Sequence, residues 1–144
     1  MQELPHRNSS DVALVVWTSG STSAPKRVPI SHGALIARGK KTQALLAIDS
    51  SDRCLCLMPL NYAHGINSGL LGPILCGGST ILPRSITKHS FGASLSAGAT
   101  WYTAGAAHQQ SVLRWATEDP RLLANHRLRF VRSGSAALPP AVAE

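Results

Sequence analysis

Residues 12–26 read VALVVWTSGSTSAPK, a short apolar run that leads directly into a loop of small hydroxyl residues. The run from Val12 to Trp17 contains β-branched residues and predicts a fully buried strand of a parallel sheet. In the loop, hydroxyl groups, backbone N–H groups and the Lys26 ammonium converge, while Gly20 permits close backbone approach. Pro25 stiffens the exit of the loop. Such a loop is suited to hold a polyanion; the alternative is an ordinary surface turn with a solvated lysine.

Strand-like and helix-like segments alternate along the rest of the chain. The expected strands are 53–57, 80–82, 100–103 and 128–132, and the expected helices are 32–48, 65–76, 89–96 and 106–117. Ser31 is placed to cap the first helix, and Gly77 with Gly78 to end the second. This order predicts an α/β fold with a mostly parallel sheet, whose ligands bind beyond the carboxyl ends of the strands. Residues 1–10 are expected to form a polar lead-in to the domain at residues 11–144.

Composition excludes several classes of protein. The 144 residues carry a net charge of +7, but the basic residues are scattered and do not form a stripe that would favour a nucleic-acid partner. The arginines at 127, 129 and 132 predict a solvated or phosphate-near strand edge. Three cysteines without CxxC spacing predict neither disulfides nor a zinc site, and no apolar run is long enough for a membrane span. We therefore expect a cytoplasmic protein without a metal site of its own.

The loop at residues 18–26 resembles the signature of the AMP-forming acyl-adenylate superfamily, which includes acyl-CoA synthetases, luciferases and peptide-synthetase adenylation domains. That signature reads approximately Thr/Ser-Ser-Gly-Ser/Thr-Thr-Gly-x-Pro-Lys-Gly. The matching positions are Thr18, Ser19, Gly20, Ser21, Thr22, Pro25 and Lys26. Ser23 and Arg27 stand where the signature has its second and third glycines, and Arg27 affects how closely the loop can fold over phosphates.

Two further stretches resemble the same family and occur in the family's order. Residues 59–65, PLNYAHG, are similar to its Pro-Leu-x-His/Tyr-x-x-Gly segment, which implies that His64 borders the acyl pocket. The alternative is a histidine at a helix start whose ring is satisfied by the backbone. Residues 132–139, RSGSAALP, are similar to the Ser-Gly-Gly/Ala-Ala-Pro-Leu loop, which implies that Gly134, Ser135 and Ala136 lie along an adenine ring.

The resemblance implies a carboxylate ligase that uses ATP, Mg²⁺ and CoA. Phosphate contacts are then expected from Thr18, Ser19, Gly20, Ser21, Thr22 and Lys26, and the residues expected to act in catalysis are Lys26, Thr18 and His64. No carboxylate lies near residues 62–70, which favours a plain carboxylic acid over an α-amino acid. All seven carboxylates lie outside the candidate loops, so paired-carboxylate catalysis is not expected.

The family's magnesium-binding glutamate segment, its ribose-binding aspartate and its C-terminal domain with the catalytic lysine are not expected within this chain. We therefore expect the chain alone to be inactive, and to associate with itself or with a complementary fragment through exposed apolar faces. Two alternatives stay open at this point. One is a non-catalytic nucleotide-binding or assembly module derived from such an enzyme; the other, based only on the net charge, is a basic nucleic-acid binder.

Overall fold

A computed structural model describes residues 7–17 and 25–143. The chain begins with two strands, β1 (Val12–Trp17) and β2 (Arg27–Ser31), followed by helix α1 (His32–Leu46). The next elements are β3 (Arg53–Cys56), a π-helix (Gly65–Leu71), α2 (Gly72–Leu75), β4 (Ser79–Ile81), α3 (Lys88–Ser96), β5 (Trp101–Ala104) and α4 (Ala106–Glu118). A 3₁₀ turn (Pro120–Leu123), β6 (Phe130–Ser133) and α5 (Pro140–Ala143) complete the order.

Four of the strands form one parallel sheet in the order β4-β3-β5-β6. Crossovers that contain helices connect them, which confirms the predicted α/β fold with a mostly parallel sheet. All four strands run in the same direction, so their carboxyl ends meet at one edge. The loops that follow β3, β5 and β6 are therefore brought together there.

The sheet has an apolar layer on each side, because successive side chains of a strand point to opposite faces. On one face Cys54 and Trp101 pack with Ile48 and Cys76, next to α1 and α2. On the other face the buried cluster is larger and includes residues of α3 and α4: Leu55, Leu57, Phe91, Leu95, Ala99, Tyr102, Ala104 and Val112. The three cysteines are buried free thiols, as the sequence indicates.

The strand at 12–17 was predicted correctly, but its environment was not. β1 pairs antiparallel with β2 in a separate two-stranded sheet, so it is not a buried strand of the parallel sheet. Val12 and Trp17 are 58% and 62% exposed. Apolar composition alone does not distinguish a buried parallel strand from one strand of an antiparallel pair. The partner strand β2 was not predicted, because it contains Arg27 and Pro29 and proline is unusual within strands.

The helices follow their predicted starts and stops closely. Ser31 caps α1 by accepting a hydrogen bond from the Ala34 N–H, as the sequence indicates. Gly77 follows the end of α2 with a φ of +82°, a conformation that glycine adopts without strain. The predicted helix at 65–76 is instead a π-helix followed by a short α-helix. No helix among the described residues is long and apolar enough to cross a membrane.

Candidate active site

His64 lies at the carboxyl edge of the sheet, between the loop that follows β3 and the loop that follows β6. Its Nδ1 atom is 2.7 Å from the Ser135 hydroxyl, and its Nε2 atom is 2.8 Å from the Thr103 hydroxyl at the end of β5. Two of the three sequence segments that resemble the acyl-adenylate family therefore meet through one hydrogen bond. The ring partners are side chains, so the alternative of a histidine satisfied by backbone is wrong.

Arg132 occupies the same corner of the sheet and determines the protonation of His64. The Nη1 atom of Arg132 is 2.9 Å from His64 Nε2 and 3.2 Å from Thr103 Oγ1. A guanidinium group has only donors, so His64 Nε2 must accept and Nδ1 must carry the proton that is donated to Ser135. The contacts therefore assign a neutral imidazole in its Nδ1–H tautomer.

The electrostatic environment favours the same neutral form. Burial lowers the pKa of His64 from its ordinary value, and the positive charge of Arg132 lowers this pKa further. Both effects disfavour the imidazolium: burial removes water from the charged ring, and the positive charge of Arg132 repels it. His64 therefore remains uncharged at neutral pH and offers no acidic proton to a bound carboxylate.

Glycine is required at position 134 by the close approach of the histidine ring. A Cβ atom built on Gly134 would lie 2.8 Å from His64 Cε1 and 3.4 Å from Arg132 Nη1. The next residue, Ser135, has a φ of +75°, which is uncommon for a residue other than glycine. The loop after β6 is thus held in a strained, narrow conformation directly against the ring.

The π-helix brings a second glycine-dependent contact to this side of the sheet. Gly69 packs so closely on Cys56 Sγ that a side chain at 69 would collide with it. On the same helix, both amide atoms of Asn67 are buried and have no hydrogen-bond partner within the described residues. A wide helical turn and an unsatisfied amide are features that concentrate at functional sites, because they persist only where the surrounding structure supports them.

The remaining predicted site residues fall into two groups. Thr18, Ser19, Gly20, Ser21 and Thr22 lie outside the described residues, and the structure gives no geometry for the predicted phosphate contacts. Lys26 directly precedes β2, and Ala136 is exposed on the loop after β6. No group of three histidine, cysteine or acidic side chains suited to a metal ion occurs within residues 7–17 and 25–143.

Sequence reasoning missed Thr103 and Arg132 as members of this site. Arg132 was included in an arginine group interpreted as a solvated or phosphate-near edge, and that interpretation did not anticipate the partners of two of its members. Arg129 pairs with the buried Asp52, and Arg132 contacts His64 and Thr103. Their positions in the sequence could have identified them, because both lie at the carboxyl ends of predicted strands. In the structure these strands are adjacent, and Thr103 pairs with Arg132.

Comparisons with known proteins identify the family of the chain. Residues 2–144 match the family model described as AMP-binding enzyme. The chain is 34% identical over 135 residues to an oxalate–CoA ligase of Arabidopsis thaliana, covering 92% of this chain and 26% of the relative. It is 31% identical over 138 residues to a sulfoacetate–CoA ligase of Cupriavidus necator, covering 95% of this chain and 26% of that relative.

A solved structure shows the same fold. The structure described as a malonyl-CoA ligase ternary product complex with methylmalonyl-CoA and AMP bound aligns with a TM-score of 0.87 and 31% identity, over 96% of this chain and 31% of that chain. The present chain spans about a quarter of the length of the curated relatives it matches. Because the family model covers nearly every residue, the chain belongs to the AMP-binding enzyme family.

Proposed function

We propose that the protein joins a carboxylic acid to AMP and then transfers the acyl group to the thiol of CoA. The observation that carries this proposal is the 2.7 Å contact between His64 and Ser135 at the carboxyl edge of the sheet. This contact joins two segments. By resemblance to the family, the segment with His64 borders the acid and the loop with Ser135 lies along adenine. An acid and a nucleotide bound to these two segments would be adjacent, as a direct reaction between them requires.

The first reaction is attack of a carboxylate oxygen on the α-phosphorus of ATP. A new oxygen–phosphorus bond forms, the bond to the bridging oxygen breaks, and pyrophosphate leaves with that electron pair. In the second reaction the thiolate of CoA attacks the acyl carbon, and AMP leaves. Negative charge is redistributed over the phosphate oxygens in the first step, so fixed hydrogen-bond donors around them lower the barrier.

The neutral state of His64 suits this chemistry. An imidazolium next to the acid would form an ion pair with the attacking oxygen and stabilise the reactant more than the transition state. A neutral ring held by Ser135 and Thr103 leaves the carboxylate fully charged and nucleophilic. We therefore assign His64 to placement of the acid beside the nucleotide, and Gly134, Ser135 and Ala136 to the adenine.

The phosphates are assigned to the hydroxyl-rich loop, Thr18 to Thr22, together with Lys26. When bound, Mg²⁺ would neutralise charge on the phosphate oxygens. The names of the two relatives and of the solved structure support the proposal, since each describes a CoA ligase and the solved complex contains AMP.

Acid-dependent exchange of labelled pyrophosphate into ATP tests this function on the complete product of the gene that encodes the chain. We expect exchange with a short carboxylic acid, and a tenfold or greater loss of ATP affinity in Lys26→Ala, on the order expected for removal of a charge-assisted contact. Lys40→Ala, which removes an exposed lysine of α1, is the matched control. Unchanged ATP affinity in Lys26→Ala would show that the phosphate loop is assigned wrongly.

The same assay separates the ligase from the non-catalytic alternative. A nucleotide-binding module derived from such an enzyme would bind ATP but catalyse no exchange with any acid.

A further inference from the structure

We infer that Arg132 binds a second anionic group of the acid, so that the preferred substrate is a short dicarboxylate or sulfocarboxylate. This inference rests on the proposed ligase function. It concerns which acid is accepted, and it follows from the placement of one guanidinium group at the carboxyl edge of the sheet.

Arg132 is a partly buried cation without a carboxylate partner. Among the described residues the ion pairs involve Lys88, Arg114, Arg121 and Arg129, and none involves Arg132. Burial lowers the pKa of Arg132, which shows that the charged form is poorly solvated there. A charge withdrawn from water is unfavourable unless it is compensated, so this position favours a bound anion.

The hydrogen-bond donors of Arg132 are only partly used. Its Nη1 atom contacts two neutral acceptors, His64 Nε2 and Thr103 Oγ1. Its Nε and Nη2 atoms make no hydrogen bond to any other described residue. This edge of the guanidinium presents two parallel N–H groups, the geometry that binds a carboxylate or sulfonate through two oxygens.

Neighbouring charge strengthens the attraction for an anion. Beyond burial, two neighbours act on the pKa of Arg132: Cys54 would raise it as a thiolate, and Arg38 of α1 lowers it. Burial raises the pKa of the Cys54 thiol, so this group is uncharged at neutral pH and does not compensate the guanidinium. Arg38 makes no ion pair within the described part of the chain. Asp52 is the only buried carboxylate among the residues that the structure describes, and it pairs with Arg129 at the opposite end of the sheet. The carboxyl edge of the sheet therefore carries uncompensated positive charge.

The bound anion is expected to be a second group of the acid and not the carboxylate that reacts. A guanidinium bound to the attacking oxygens would stabilise the reactant and slow the reaction. A guanidinium bound to the far end of the acid strengthens binding without stabilising the reacting carboxylate. Arg132 Nη1 and His64 Nε2 are only 2.9 Å apart. Because the two side chains are adjacent, an acid that reaches both is expected to be short.

The same placement disfavours long apolar acids, because an alkyl chain packed on the guanidinium would prevent its solvation without supplying an anion. The relatives agree with this selection. Oxalate, sulfoacetate and malonate, the acids in the names of the related ligases, each carry an anionic group at both ends.

The test compares acids in pyrophosphate exchange by the complete gene product. The probes are oxalate, malonate and sulfoacetate, with acetate and propionate as acids of similar size that have one charge. We expect kcat/KM to favour the doubly charged acids, and Arg132→Met to lower their kcat/KM by about ten- to a hundredfold, the range for a charged hydrogen bond. The values for acetate and propionate and the Kd for ATP should change much less.

Two further variants make the result specific. Arg127→Met removes an exposed arginine just before β6 and should alter neither preference nor rate. Arg132→Lys keeps the charge but loses the paired N–H groups, so it should retain part of the preference even if Arg132→Met folds poorly.

Three outcomes would overturn the inference. The wild type could prefer singly charged acids, or Arg132→Met could lower kcat/KM equally for every acid. A loss of ATP affinity in Arg132→Met would instead assign the guanidinium to the α-phosphate. Absence of exchange with every acid is a different result, because it would overturn the proposed ligase function itself.

Discussion

Arg129 directly precedes β6 and Arg132 lies near its carboxyl end, yet the environments of the two arginines are opposite. Arg129 contacts both carboxylate oxygens of Asp52, with Nε 3.0 Å from Oδ1 and Nη2 2.6 Å from Oδ2. Asp52 also accepts hydrogen bonds from the Thr100 hydroxyl at 2.7 Å and the Asp49 N–H at 3.1 Å. At the amino end of the sheet the charges are thus fully compensated.

At the carboxyl end, the Arg132 guanidinium forms hydrogen bonds, within residues 7–17 and 25–143, only with the neutral side chains of His64 and Thr103. A network whose donors and acceptors are all used stabilises the fold and has no capacity left for a ligand. A network with spare donors is less favourable for folding but is ready to bind an anion. The comparison therefore assigns the amino end to stability and the carboxyl end to recognition, and each assignment can be tested separately.

Asp52→Asn should produce the largest effect on stability. The substitution leaves the Arg129 guanidinium without its charge partner, and Asp52 is only 2% exposed. Breaking a buried pair typically costs about 3–5 kcal/mol, and the 45% exposure of Arg129 reduces this to about 2–3 kcal/mol. Urea unfolding of the chain measures the change.

The control for this substitution is Asp119→Asn, which removes a carboxylate that pairs with the exposed Arg121. Because water solvates that arginine, we expect little change in the free energy of unfolding. Equal effects of the two substitutions would mean that the amino-end network does not stabilise the sheet more than a surface ion pair does.

Gly134→Ala should have an intermediate effect that is confined to the carboxyl end. The new methyl group would displace the His64 ring and break its 2.7 Å contact with Ser135, a loss of about 1 kcal/mol in placement of the ring. We expect pyrophosphate exchange by the complete gene product to fall about fivefold, with nearly unchanged thermal stability.

Gly105→Ala is the matched glycine control, because its methyl group would make only an ordinary 3.5 Å contact with Met58 Sδ. It precedes α4 in an extended conformation that alanine also adopts. A Gly134→Ala variant as active as Gly105→Ala would show that the close approach to His64 is a packing feature without a role in the reaction.

The same contrast explains what the sequence could and could not predict. The alternation of strands and helices predicted the parallel sheet, because hydrophobic periodicity and capping residues act locally. The motif resemblance singled out His64 and Ser135, but their contact depends on residues 71 positions apart in the chain. Local patterns carry no information on such pairings.

The two arginines show this limit most clearly. A basic residue near a strand end is usually solvated. The sequence does not reveal that Asp52 pairs with Arg129, 77 positions away, or that no carboxylate in the described part of the chain pairs with Arg132. The pairing of β1 with β2 was not predicted for a related reason: β2 contains Pro29 and has no clear alternation of apolar and polar residues. In each case the outcome depends on contacts between residues that are not neighbours along the chain.

The smallest expected effect is a shift in the pKa of His64, and it tests the electrostatic part of the comparison directly. Burial and the charge of Arg132 both lower this pKa, so in the wild type His64 should titrate below the ordinary value of about 6.5. Arg132→Met removes the repulsion but leaves the ring buried, so the pKa should move up toward 6.5. Arg127→Met should leave it unchanged.

The measurement is an NMR titration of the imidazole C–H signals, with the His64 signal assigned among the six histidines by its absence in His64→Gln. Because the unfolded chain binds a proton at a higher pH than folded His64 does, this residue also makes stability fall as pH drops below about 6.5, and the fall should be smaller in Arg132→Met. A wild-type pKa at or above 6.5 would contradict the neutral, Arg132-facing imidazole on which the proposed placement of the acid depends.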